Sequence, residues 1–195
     1  MTLSALFTAW QISVKDCPDG YALAQLLESA QGMFQEEALW TGEAWVAAVP
    51  DAVVYEVPFS FPVALVLSVG SSTEEDVAPL DSLDPVLATP TETGAEFTFD
   101  AAPISTGYLY AKVVFTPSTL TQELPFSLVS PEMLALRERL YRDLAFMGGR
   151  PWSDAQEAAR RDDMYQRKLL VARAGKMKGG VHSRQTHYTH PEELS

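Results

Sequence analysis

The amino-acid sequence predicts an α+β fold, in which a small helical bundle is formed from both chain ends, an antiparallel β-sandwich or barrel is inserted between them, and an extended arm follows at the C-terminus. Two observations predict it. Apolar residues recur at three- and four-residue spacing on either side of a central region where they alternate. The 195 residues, 47% of them apolar, also suffice for one folded body with its own core.

The first long helix is predicted over about residues 19–39. It begins at the turn signal of Asp19 and Gly20, and its apolar residues follow the helical period: Leu23, Leu26, Leu27, Ala30, Phe34 and Ala38. The segment before it lacks the basic start and the cleavage site of a signal peptide. We therefore expect its apolar side chains to dock on the body: Leu3, Leu6, Phe7 and Trp10.

Alternation of apolar residues predicts the β insertion, residues 49–128. Four strands are expected: one with Val53, Tyr55 and Val57, one with Val63, Leu65, Leu67 and Val69, one over 96–100, and one over 108–115. Between the second and third, residues 70–84 predict an acidic loop, because Pro79 and Pro85 break regular structure. Several short strands with such connections favour a sandwich or barrel over a parallel sheet.

The helical period returns after Leu128. Ser130 and Pro131 are typical of a helix start, Met133, Leu136, Leu140, Leu144 and Met147 form its buried stripe, and Gly148 and Gly149 end it. A capping box of Ser153 and Gln156 predicts a last helix running to about Ala174. The helical domain is thus expected to comprise residues 1–48 and 129–174.

The final segment, residues 175–195, has almost no aliphatic side chains, so we expect an extended basic arm that a partner orders. Charge is uneven along the chain. Up to Ala135 there are two basic residues against eighteen acidic ones, and after it twelve against eight. An acidic body with a basic end suits a protein whose surface avoids nucleic acid while one segment binds an acidic partner. Ordinary solubility explains the same charges.

No motif of catalysis, cofactor binding or metal binding is present, so we expect no enzyme, no cofactor and no metal site. The three histidines, His182, His187 and His190, all lie in the arm, where nothing holds a base or ligand in place. Cys17, the single cysteine, has no histidine near it in sequence that could act as its base. No stretch approaches the roughly 20 apolar residues that span a bilayer, which indicates no membrane association.

Two charged clusters remain as candidate sites. Carboxylates gather at Glu74, Glu75, Asp76, Asp81 and Asp84, where a hydrated loop is favoured over a cation site because the spacing fits no calcium loop. Basic side chains gather on the last helix and the arm, and we predict that they bind an acidic protein partner, not DNA: Arg160, Arg161, Arg167, Lys168, Arg173, Lys176, Lys178 and Arg184.

Several short segments resemble the head-to-tail adaptor proteins of tailed, mainly short-tailed, bacteriophages. The first is an amphipathic helix ending in Trp40. The second leads from Tyr55-Glu56-Val57-Pro58 to Leu65-Val66-Leu67-Ser68-Val69. The third includes Val113-Val114-Phe115-Thr116-Pro117, Leu124-Pro125, the helix around Tyr141 and Leu144, and Gly149-Arg150-Pro151-Trp152-Ser153-Asp154 before an Ala-rich helix with Tyr165. Together these segments extend from about Asp19 to Ala174.

The resemblance implies a homo-oligomeric ring, commonly of twelve copies, in the neck of the virion and assembled in the host cytoplasm. The arm would reach the portal protein ring, the β unit would meet tail or nozzle proteins, and DNA would pass through the channel without specific binding. The chain departs from the family in its short region before Cys17 and in the spacing of Trp40 and Trp45, which leaves copy number and docking mode open.

Three rival functions stay open at this point. A carbohydrate- or receptor-binding β module of a virion tail would use Tyr108 and Tyr110, which we expect to be exposed. A hydrolase would use paired carboxylates of the sandwich, but only generic Asp and Glu are present. A stopper or tail completion protein is a third and closer rival, because sequence alone barely separates it from an adaptor.

Overall fold

The computed structural model describes residues 1–91, 93–177 and 182–184, and it divides them into two compact units. The helical unit contains residues 1–39 and 117–177. The β unit contains residues 40–116 together with 182–184. The α+β class with a sandwich-like β unit is confirmed. The chain leaves the helical unit at Leu39, not at the expected residue 48, and residues 117–128 belong to the helical unit and not to the β insertion.

Four helices form the described part of the helical unit: α1 (Leu3–Ala9), α2 (Asp19–Glu37), α3 (Pro131–Phe146) and α4 (Ala155–Met177). Helix α3 packs against both α2 and α4. Its expected stripe is fully buried at Met133, Leu136 and Leu140, and it meets the buried face of α2. Within the described residues, no helix is long and apolar enough to cross a membrane.

The helix ends follow local chemistry. The Ser130 hydroxyl accepts a hydrogen bond from the Met133 amide, as expected. The expected end of α3 at Gly148 and Gly149 is wrong: the helix ends at Phe146 with Met147 as its cap, and the positive φ at Gly149 lies beyond that cap. The prediction for α4 was off by one residue. The Asp154 carboxylate, not the Ser153 hydroxyl, accepts hydrogen bonds from the amides of Gln156 and Glu157. The negative charge of Asp154 at the start of the helix also interacts favourably with the helix dipole.

The N-terminal segment docks as expected. Leu3 and Leu6 of α1 are fully buried, while Phe7 and Trp10 are partly covered. The Leu124 amide donates to the Met1 carbonyl at 2.8 Å. The segment 117–128 therefore helps to hold α1 within the helical unit.

The β unit has two sheets. Strands β4 (Asp81–Ser82), β3 (Val63–Ser72), β7 (Tyr108–Phe115), β1 (Thr41–Ala47) and β8 (His182–Arg184) form the larger one in that order, antiparallel apart from β8. Strands β2 (Val54–Pro58), β6 (Gly94–Thr98) and β5 (Leu87–Pro90) form the smaller one. Phe97, Phe115 and Leu109 are fully buried in the apolar interior of this unit.

The alternation expected in β3 is wrong at its centre. Val63 and Val69 are buried, but Leu65 and Leu67 are about two-fifths exposed. The pairing with β7 has register shifts between Val63 and Leu65 and between Val66 and Ser68, and an extra residue in one strand turns the following side chains to the other face. This places two leucines on the surface.

Candidate interaction surfaces

Helix α4 carries the basic residues that the sequence singled out. It lies on α3 through its small and apolar face, where Ala158, Leu169 and Ala172 are buried. The opposite face of α4 is exposed. The structure thus separates the eight predicted residues into those that hold the helical unit together and those that stay at its surface.

Three of the eight bind inside the helical unit. Arg161 donates to Glu138 at 2.6 Å and to Glu157 at 2.7 Å, and its guanidinium lies 4.4 Å from the centre of the Tyr141 ring. Arg173 pairs with Glu37 of α2, and the Lys176 ammonium donates to the Ala38 carbonyl. These contacts attach α4 to α3 and to the end of α2, a structural role that the sequence did not reveal.

The remaining five basic residues lie at the surface of α4 or in the part of the chain after it, most of which is outside the described residues. Arg160 and Arg167 pair along α4 itself with Glu157 and Asp163, and all four side chains are at least one-third exposed. Lys168 is half-buried. Lys178 lies outside the described residues, as does most of the expected arm, and of Arg184 only the backbone, in β8, is described. The surface set on α4 is therefore Arg160, Arg167 and Lys168.

Two neighbouring residues extend this surface. Leu170 is 63% exposed and Val171 is 55% exposed, one turn beyond Arg167 and Lys168. The sequence placed them in a helix but did not single them out. Only the packing of α4 on α3 shows that they point away from the core. We call Arg167, Lys168, Leu170 and Val171 the α4 patch.

A network of buried charges lies under α4. Glu138 is fully buried and accepts hydrogen bonds from Arg137 and Arg161. Next to it, Arg139 forks onto the two oxygens of Glu36 at 2.6 and 2.9 Å, and Nη1 also donates to the Tyr165 hydroxyl. The hydrogen bond from Arg139 lowers the pKa of Glu36. These ion pairs fix the three helices against one another.

The β unit is the acidic part of the chain. Between residues 40 and 116 there are eleven carboxylates and one lysine, Lys112, whose ammonium binds Glu43 at 2.7 Å. The acidic loop is held against the larger sheet: the Trp45 indole donates to the Val77 carbonyl, and the Leu80 amide to the Ser71 carbonyl. Among the described residues no three His, Cys, Asp or Glu side chains converge to hold a metal ion.

An open depression of about 460 Å³ lies on the smaller sheet, between Glu56 and Glu96, which face each other across β2 and β6. Pro58, Thr91 and Thr93 complete its wall. None of the described lining residues is aromatic. Two carboxylates directly opposite repel each other, so this surface is electrostatically unfavourable without a cationic partner.

The expectation that Tyr110 is exposed is wrong. Tyr110 is 5% exposed and packs against Trp45. Its pKa is raised, mainly by burial and to a lesser extent by the nearby Glu43 carboxylate. Tyr108 is half-buried. Cys17 is also half-buried, and burial raises the pKa of its thiol, which weakens it as a nucleophile.

Comparison of the chain with protein-family models and with curated proteins gives no match.

Proposed function

We propose that this chain is a structural virion protein, a head-to-tail adaptor whose copies form a ring that joins the portal to the tail and lets DNA pass. The observation that carries the proposal is the separation of charge between the two units. The β unit has one lysine against eleven carboxylates over residues 40–116, whereas α4 carries a basic surface.

The acidic β unit suits a channel. DNA carries two phosphate charges per base pair, and proteins bind it without sequence preference by neutralising these charges with Lys and Arg. Lys112 is already bound to Glu43, so the β unit offers no basic side chain in residues 40–116 beyond that pair. Facing a channel, such a surface repels DNA and prevents adhesion.

The helical unit suits attachment to protein. Its buried pairs, such as Arg161 with Glu138, hold α4 rigidly on α3. Arg167 and Lys168 then present positive charge beside exposed Leu170 and Val171. Arginine beside apolar surface is characteristic of protein interfaces, and acidic patches of a neighbouring subunit or of a portal are its natural partners.

A non-enzymatic role is supported by what the units contain. No histidine occurs before His182, so neither the helices nor the main strands can supply a histidine base. The carbohydrate-binding alternative depended on two exposed tyrosines, and Tyr110 is buried. No observation now favours that alternative over the adaptor.

The test is assembly with a portal ring from the same source, followed by cryo-electron microscopy. We expect the full chain to add as a ring to one end of the portal. The image also distinguishes an adaptor, which contacts the portal, from a stopper or tail completion protein, which sits further along the neck. A chain that stays monomeric and ignores portals contradicts the proposal.

Two variants sharpen this test. Deleting residues 178–195 leaves all four helices but removes the edge strand β8. The truncated chain should stay folded by circular dichroism and yet fail to attach, because the arm is expected to reach the portal. Glu74→Gln, a substitution in the exposed acidic loop, is the matched control and should attach normally. Normal attachment of the truncated chain would contradict the prediction that the arm binds the portal.

A further inference from the structure

The smaller sheet of the β unit ends in an exposed apolar surface. Val53, Val54, Val86 and Leu87, which we call the sheet-end patch, are 40–63% exposed. Val54 and Leu87 both pair with Thr98 of β6, so they lie about 10 Å apart across the sheet. The Val86 amide donates to the Thr98 carbonyl, and the Val53 carbonyl accepts from Phe99, which brings all four residues to one sheet end.

Carboxylates border this patch. Asp51 lies two residues before Val53, Asp84 lies two residues before Val86, and Asp100 follows Phe99. All three are exposed. Apolar patches surrounded by polar residues mark protein interaction sites, because a free monomer gains nothing from keeping such a patch in water.

The α4 patch has the complementary chemistry. Leu170 and Val171 are apolar and exposed, and Arg167 and Lys168 lie one turn before them with no carboxylate from residue 164 to residue 177. Arg167 is paired only with Asp163, and both side chains are more than half exposed. An ion pair this exposed contributes little stability, so a carboxylate of another molecule can replace Asp163.

We infer that the α4 patch of one copy packs against the sheet-end patch of a second copy of this chain. Apolar side chains would meet apolar side chains, and Arg167 and Lys168 would meet the bordering aspartates. A contact between two different surfaces is head-to-tail, and it builds a ring when the rotation from copy to copy closes. The inference rests on the ring of the proposed function and names the surfaces that build it.

Cross-linking between two single-cysteine proteins tests the inference. With Cys17 changed to Ser, one tagged protein carries Leu170→Cys and the other carries Leu87→Cys. After mixing, mild oxidation should yield a disulfide-linked heterodimer, both for the free proteins at high concentration and for rings assembled on portals. The control partner carries Leu67→Cys, which is exposed on β3 outside the patch, and should give about tenfold less product.

A charge reversal supplies the second measurement. Arg167→Glu in the Leu170→Cys protein should lower the heterodimer yield about tenfold, and Asp84→Lys in the Leu87→Cys protein should restore it. Yields equal to those of the Leu67→Cys control, in free and assembled protein alike, overturn the inference. If the protein attaches to portals but gives no cross-link, the adaptor function is supported and the interface is contradicted. If it gives the cross-link but does not attach to portals, the interface is supported and the adaptor function is contradicted.

Discussion

Carboxylates are placed differently in the two units. Glu138 in the helical unit is fully buried between Arg137 and Arg161, whereas Glu56 in the β unit is exposed and faces Glu96 across the sheet. The helical unit therefore depends on specific ion pairs for its arrangement. The β unit depends on apolar packing, and its surface charge is available for interactions with other molecules.

The difference has a consequence for mutations. In the helical unit, removal of one ion-pair partner leaves a charge in an apolar environment, which is strongly destabilising. In the β unit, most carboxylates can be exchanged with little effect on folding, because water hydrates them in any case. Stability and function should thus be separable by mutation in the β unit and coupled in the helical unit.

The largest effect is expected for Phe97→Ala. Phe97 is fully buried in the smaller sheet, and its removal should lower the free energy of unfolding by about 3–5 kcal/mol. Urea denaturation followed by strand-specific hydrogen exchange measures the loss. Thr89→Ala, on the exposed face of the same sheet, is the control and should change stability by less than about 0.5 kcal/mol. A small effect of Phe97→Ala would mean that apolar packing does not hold the β unit.

The next largest effect is expected for Arg161→Met. The change leaves buried Glu138 with Arg137 alone, so we expect a loss of about 2–3 kcal/mol in the free energy of unfolding, measured by thermal and urea denaturation. The neighbouring Arg160 binds the same Glu157 but has a side chain that is 57% exposed. Arg160→Met is the control and should unfold like the parent. Equal losses for both variants would contradict the special weight of the buried Arg161–Glu138 pair.

The sequence predicted α2, α3 and α4 well because each has a long apolar stripe or a clear end signal, such as Ser130 and Pro131. It missed β1 as a strand because both of its faces are covered, which removes alternation. The exposure of Leu65 and Leu67 also escaped it, since the irregular register is set by pairing with β7 and not by β3 itself.

The candidate surfaces were predictable only in part. The sequence placed most of the eight basic residues on the last helix, where the structure also has them, but their separation into internal and surface members depends on distant partners. Arg161 meets Glu138 of another helix, and Arg173 meets Glu37. The sheet-end patch depends on pairing that joins residues more than thirty positions apart, Val54 and Leu87 through Thr98. No local period in the sequence contains that information.

The smallest effect concerns acid stability. Hydrogen bonds from Arg160 and then Arg161 lower the pKa of Glu157 from an ordinary 4.5 to about 2. A carboxyl whose folded pKa is depressed contributes stability above its unfolded pKa, and this contribution is lost as the pH falls through the folded value. Glu157→Gln should therefore reduce the loss of stability between about pH 5 and pH 2, by at most about 1 kcal/mol after solvent screening. Denaturation at a series of pH values measures this loss of stability.

Glu28→Gln, at an exposed position of α2, is the control and should keep the parent's profile of stability against pH. An unchanged profile for Glu157→Gln would show that Arg161 acts through Glu138 alone, which would confine the stabilising ion pairs to the buried part of the helical unit.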